Sequence, residues 1–177
     1  MTPAPTLTTA RLTLRQHLAE DFALMRDILM SARAAYMGGP FDLEKSWQIF
    51  AADTGAWALQ GFGGWAMVET ATGRIVGQIV IQHPAHYPEP EIGWMLLEGA
   101  EGQGFATEAA QAALDWARSA HGMTTLVSYV DPANAASIAV ATRLGASRDA
   151  GAPLPVGETP DGTHVYRHDL AGVAACA

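Results

Sequence analysis

The residues whose types and spacing speak most directly of chemistry are Gly102-Gln103-Gly104-Phe105-Ala106-Thr107-Glu108, a glycine-rich turn running straight into an alanine-faced helix. Such a turn aims backbone N–H groups at one point, where the helix dipole adds partial positive charge. Gly102 and Gly104 carry no Cβ, so a bulky phosphate can approach the main chain closely. The candidate anion-binding set is therefore Gly102, Gln103, Gly104, Phe105, Ala106 and Thr107. The spacing is not that of a P-loop, because no Lys-Ser or Lys-Thr follows the second glycine. It also departs from the dinucleotide fingerprint, which needs a third small residue and an acid about 20 residues further on.

The elements that must hold this turn are legible on either side of it. Behind it, Ala106, Ala109, Ala110, Ala113, Leu114 and Ala117 fall on one helix face, and their small side chains suit close packing on a sheet. Thr107, Glu108, Gln111, Asp115 and Arg118 make the wet face. In front of it, Ile92 to Leu97 is a continuous apolar run of strand length. Leu12 and Leu14 alternate with polar neighbours as an edge-type strand. Glu20 to about Arg33 carries a helical stripe, ended by Gly38-Gly39-Pro40. Asp42 caps a second helix with Trp47 and Phe50 inward. Trp65–Glu69 and Arg74–Gln82 form a hairpin across Thr72-Gly73, Thr125–Val130 is a strand, and Thr163–Leu170 closes the chain. Asn134 caps a helix with Arg143 in its last turn and Gly145 at its end. The residues from Ala150 to Gly162, with three Pro and three Gly, read as a long loop. The order is β-α-α-β-β-β-α-β-α-β, an α/β (α+β) fold with a mixed, mostly antiparallel sheet and helices on both faces, in one domain over residues 1–177.

Downstream of the turn come Asp131-Pro132-Ala133-Asn134-Ala135-Ala136-Ser137 and Thr142-Arg143-Leu144-Gly145-Ala146, and the chain opens on Thr9-Ala10-Arg11-Leu12-Thr13-Leu14-Arg15. With Glu91-Ile92-Gly93-Trp94 and the glycine turn, these segments, in this order, resemble the GNAT superfamily of N-acetyltransferases. The look is closest to its ribosomal-protein-alanine (Rim-type) branch, over about residues 9–170. The resemblance implies that acetyl-coenzyme A is the co-substrate and that the turn amides bind its pyrophosphate. The motif position usually held by Gln or Arg carries Glu101, tolerable if its carboxylate points away. By the same resemblance the Leu96 backbone pairs with pantetheine and the thioester, and Asn134 and Ser137 lie near pantetheine and the sulfur. Arg143, with Arg148, Arg118 and Arg74, is a candidate for the 3′-phosphate. Ala141 stands where many members place a Tyr acid, which leaves Ser137 to protonate the thiolate.

Acetyl transfer to an amine needs an oxyanion donor, a neutral amine and a way to quench the departing thiolate. Candidate bases are Glu91, His83, His86 and Asp131. Each has a plainer role beside it: Glu91 as an edge carboxylate, Asn134 as an ordinary cap, the histidines as surface residues. His83 and His86 form H-x-x-H in a proline-rich loop without helical register, which does not suit a metal. Tyr129 reads as sheet packing, with a general acid as the alternative.

Charge and composition exclude several classes. Ten Lys+Arg against 18 Asp+Glu give a formal net charge of −8, which argues against nucleic acid or anionic membrane as partner. It favours an amine acceptor, either a protein N-terminus or a small amine. Cys176 is the only cysteine, so no internal disulfide forms, and no run approaches the roughly 18 apolar residues of a membrane span. A reducing cytoplasm is the expected setting. The main alternative is a non-catalytic coenzyme A-binding sensor, and a homodimer is left open.

Overall fold

The structure is a computed structural model, and it describes residues 3–171. Cys176 lies outside that range. Eight strands form one sheet: β1 (Leu7–Thr8), β2 (Leu12–Gln16), β3 (Gly64–Glu69), β4 (Ile75–Gln82), β5 (Glu91–Leu96), β6 (Thr125–Val130), β7 (Ser147–Arg148) and β8 (His164–Asp169). Their order across the sheet is β1-β2-β3-β4-β5-β6-β8-β7. Every neighbouring pair is antiparallel except β5 with β6. Four helices join them: α1 (Phe22–Leu29), α2 (Leu43–Gln60), α3 (Phe105–His121) and α4 (Ala135–Arg143).

The expected order of elements holds, with local differences. β2 is not an edge strand, because the two-residue β1 pairs with its outer side. A segment as short as β1 or β7 has no alternation long enough to register in the sequence. The stripe from Glu20 to Arg33 is not one helix. It opens with a 3-10 turn at Ala19–Asp21, continues as α1, and restarts as a second 3-10 turn at Ala32–Met37. Ser31 makes the break: its Oγ donates to the Ile28 carbonyl at 2.8 Å and accepts the Arg33 amide, diverting backbone groups that a helix would use.

α2 begins where expected, with the Asp42 carboxylate accepting the Lys45 amide at 2.7 Å. Its inward register is Ser46, Phe50, Asp53 and Trp57. Trp47, expected inward, falls one position off that stripe. It stays 49% exposed, with its ring edge-on to Phe22 at 4.9 Å.

Strand alternation divides the core into two layers. On one face Leu12, Leu14, Trp65, Met67, Ile79, Ile81 and Ile92 meet the alanine stripe of α3, where Ala109, Ala110, Ala113 and Ala117 are fully buried. Methyl-sized side chains bring the α3 backbone close to the sheet, so the helix start is fixed relative to the end of β5. On the other face Met95 packs with Met25, Ile28, Leu29 and Phe50 from α1 and α2. Among the described residues no helix is long and apolar enough to cross a membrane.

Candidate active site

β5 and β6 start as neighbours and then part. They share one register pair, Glu91 with Val127, and one flanking bond from the Val127 amide to the Pro90 carbonyl at 3.1 Å. β5 continues along β4 and β6 along β8, so the two strands diverge with the halves of the sheet they belong to. Two side chains satisfy the backbone groups that the parting would strand. The Ser128 hydroxyl, 2% exposed, donates to the Ile92 carbonyl at 2.7 Å. The Glu91 carboxylate accepts the Tyr129 amide at 3.3 Å.

Ser128 has a single hydroxyl proton, given to Ile92, so its 3.1 Å contact with His168 makes the ring Nε2–H the donor. His168 Nδ1 is buried without a partner, and burial pushes this histidine's pKa down to about 4. The ring is therefore a neutral wedge that holds β8 to the split.

Further along the gap, Ile92, Trp94 and Leu96 turn their main-chain groups away from β4, since the Leu97 amide bonds back to Val76 on that side. The Leu96 carbonyl accepts an Arg33 guanidinium N–H at 3.0 Å.

A cavity of about 850 Å³ opens beside the parted strands. It brings together Glu91, Asn134, Ser137 and Tyr129 from the residues singled out in the sequence, along with Asp131 and His86, and adds Asp53, Gln78 and Gln82. Asn134 caps α4, its Oδ1 accepting the Ser137 amide at 3.1 Å. Glu91 is 8% exposed and takes a hydrogen bond from the Gln82 amide at 2.8 Å. Burial outweighs these donors and pushes its carboxyl up to about 7. Asp53, across the cavity on α2, behaves alike. Its burial raises it to about 7 against one bond from the Gln78 side chain at 2.6 Å. The Tyr129 hydroxyl is buried with no partner, and its pKa is raised to about 12 by burial and nearby carboxylates.

The sequence reading missed Asp53, Gln78 and Ser128. The available signals were an acid on the inward stripe of α2 and one polar residue inside the apolar run of β4. The other base candidates stand apart from Glu91 in character. Asp131 and His86 line the cavity, and the His86 ring packs edge-on to Tyr87 at 4.7 Å. His83 does not line it, and its carbonyl accepts the Gln60 side chain at 2.7 Å.

The glycine turn follows β5 and does not line this cavity, and neither does Leu96 or Arg143. Gly102, Gln103 and Gly104 are exposed, and Phe105 and Ala106 are buried. Gly104 is the N-cap of α3 at φ 81° and offers no side chain to the first-turn amides, which leaves them free for an external anion. Arg11 clamps the turn. It donates to the Gln103 carbonyl at 2.9 Å, pairs with Glu108 at 2.7 Å and lies 4.8 Å over the Phe105 ring. Glu101 is drawn onto Arg33 in an ion pair, so its charge is matched beside the turn. Arg143 ends α4 at the surface, Arg148 contacts His164 at 2.9 Å, and Arg74 pairs loosely with Glu69 at 3.7 Å. Arg118 lines a smaller hollow of about 240 Å³ between α3 and β8. Ala141 is fully buried within α4.

A parted strand pair followed by an uncapped glycine turn and a long helix defines a class of protein. Residues 11–147 match the family model described as an acetyltransferase (GNAT) domain. The chain belongs to the GNAT acetyltransferase family. It is 43% identical to a structurally characterised acetyltransferase from Agrobacterium tumefaciens str. C58, covering 95% of this chain and 96% of that one with a TM-score of 0.89. RimL, the ribosomal L7/L12 alpha-N-protein acetyltransferase solved in complex with coenzyme A, shares the fold at 16% identity, with a TM-score of 0.72 over 94% of this chain and 99% of that one. A curated relative, the uncharacterized protein YkkB of Bacillus subtilis (strain 168), is 36% identical over 83 residues, 46% of this chain and 48% of its own length. That match spans about half of either protein.

Proposed function

We propose that the protein is an N-acetyltransferase that moves an acetyl group from acetyl-coenzyme A to a primary amine by direct attack. The observation that carries this reading is the Glu91 carboxyl, buried at the strand split in a cavity of about 850 Å³ and raised to about 7. A base near the working pH can take a proton from an ammonium group and still return it. The amine nitrogen attacks the thioester carbon, its proton passes to Glu91 directly or through water, and the C–S bond breaks to release the thiolate. A main-chain N–H in the gap, at Trp94 or Leu96, faces the developing oxyanion without reorganisation. Ser137, beside Asn134, returns a proton to the sulfur. Tyr129 is the second hydroxyl of the cavity suited to that step, because its O–H is buried and unpartnered.

The pyrophosphate belongs on the Gly102–Thr107 amides, with Arg11 holding the turn in shape from behind. RimL supports coenzyme A as the carrier, since it was solved with that molecule on the same fold. Calorimetric titration of acetyl-coenzyme A into the wild type and a Gly104→Glu variant tests the binding half. Free-thiol release with a panel of amines tests the transfer half. Saturable binding lost in the variant, together with amine-dependent thiol release, is the expected result. Binding with no thiol release from any amine would instead mark a coenzyme A-binding sensor.

A further inference from the structure

Asp53 has no task in the transfer described above, yet it is held in the acceptor cavity at 8% exposure. Its Oδ2 accepts the Gln78 side chain at 2.6 Å, and Oδ1 has no partner among the described residues. A buried carboxylate with one neutral donor is poorly compensated, and a cation is the ligand that compensates it best. Glu91 likewise accepts a glutamine side chain, that of Gln82, and has the Tyr129 amide on its other oxygen. The two glutamines stand four residues apart on one face of β4. At about 3.3 Å per residue that spaces the two anchor points roughly 13 Å apart.

The rest of the cavity's charge agrees. Asp131 and Glu158 add two carboxylates to its walls, and Lys45 is the one Lys or Arg among its described lining residues.

Resting on the reading that Glu91 serves the reacting amine, we infer that the acceptor carries two cationic nitrogens: a linear diamine or polyamine with one end at Glu91 and the other ion-paired to Asp53. Asp53 is then a specificity-determining residue. It binds the remote ammonium and fixes how deep the reacting amine sits, and it takes no part in the bond changes. The nitrogens should lie roughly 8–13 Å apart, allowing each to reach its carboxylate at hydrogen-bond distance.

The test compares alkyl primary amines of matched length whose far end is an ammonium, a trimethylammonium or a hydroxyl, with thiol release from acetyl-coenzyme A as the readout. The wild type should favour both cationic ends over the hydroxyl by roughly 10- to 100-fold in kcat/KM, mainly through KM. In Asp53→Asn that ratio should fall toward one, while calorimetric binding of acetyl-coenzyme A stays intact and shows that the fold is kept. Equal use of the three amines by the wild type overturns the inference and leaves the acetyltransferase reading standing. So does a higher rate with peptide N-termini lacking a second cation, or an unchanged ratio in the variant. Absence of thiol release with every amine overturns the acetyltransferase reading and this inference with it.

Discussion

Glu91 reaches across the parting of β5 and β6 to accept the Tyr129 amide at 3.3 Å, with its second oxygen on Gln82 at 2.8 Å. One side chain thus closes the ladder where the strands separate and keeps a carboxyl at the floor of the cavity. Both oxygens have protein donors, so the carboxyl can hold or lose a proton without losing its place.

Removing that carboxyl should remove the base. Glu91→Gln is expected to lower kcat/KM by roughly 10²- to 10⁴-fold. In the proposed transfer the ionised form is the base, so wild-type kcat/KM should rise with pH through about 7. The variant should lose that limb. A pH–rate profile of thiol release for the two proteins makes the measurement, and a limb near 7 surviving in the variant would move the base elsewhere.

Arg11 should matter to the carrier more than to the fold. Glu108 places a carboxylate in the first turn of α3, where it would repel a phosphate, and Arg11 neutralises it through paired bonds while holding the Gln103 carbonyl. Arg11→Ala should weaken acetyl-coenzyme A binding several-fold. It should cost about 1 kcal/mol or less in stability, because the side chain is 48% exposed. The affinity gap between the two proteins should narrow as salt screens Glu108. Calorimetry at low and high ionic strength reads both effects.

The elements legible in the sequence were those that bury a periodic face. The alanine stripe of α3 and the apolar run of β5 declared themselves, and the strands and caps followed in order. The site was legible where it is local: the Asn134 cap, Ser137 three residues on, and the glycine turn before α3. What stayed hidden depends on residues distant in the chain. Asp53 looks like any helix carboxylate until Gln78, 25 residues on, shows it to be buried. Arg11 and Glu108 meet across 97 residues, and no local pattern joins them. The parting of β5 and β6 is set by their outer neighbours β4 and β8, which periodicity within a strand cannot reveal.

Gly77 supports the site from behind. A Cβ there would stand 2.2 Å from the Met95 carbonyl oxygen and 2.6 Å from the Met67 side chain. The first of these is backbone of β5 and cannot swing aside. Gly77→Ala should therefore push β5 off β4 and destabilise the protein by about 1–3 kcal/mol or more. It should also disturb the gap in which Trp94 and Leu96 present their main chain. Urea denaturation gives the first number and acetyl-coenzyme A affinity the second. A full-affinity variant of wild-type stability would mean that β4 and β5 can part without cost.

The two buried carboxyls should make the wild type less stable than its inactive or impaired variants at alkaline pH. Asp53 and Glu91 are raised from 3.8 and 4.5 to about 7 in the folded protein. Between those values the folded state holds protons that the unfolded chain has released, so stability falls as pH rises toward about 7. His17 and His168 act in the opposite sense. Burial lowers both, and His168 goes from 6.5 to about 4, so its contribution makes stability rise over that interval. The opposing trends overlap below about 6.5, and the carboxyl effect is left uncovered above it. In Glu91→Gln the Gln82 amide can flip to accept from the new side chain, so the pair of donors at the split remains satisfied. Glu91→Gln and Asp53→Asn should each gain on the order of 2–3 kcal/mol at pH 8, seen as several degrees in Tm, and gain nothing near pH 4. Thermal melts of the three proteins across that range decide it. Variants that melt below the wild type at pH 8 would show that the ionised carboxylates are better solvated in the cavity than their burial implies.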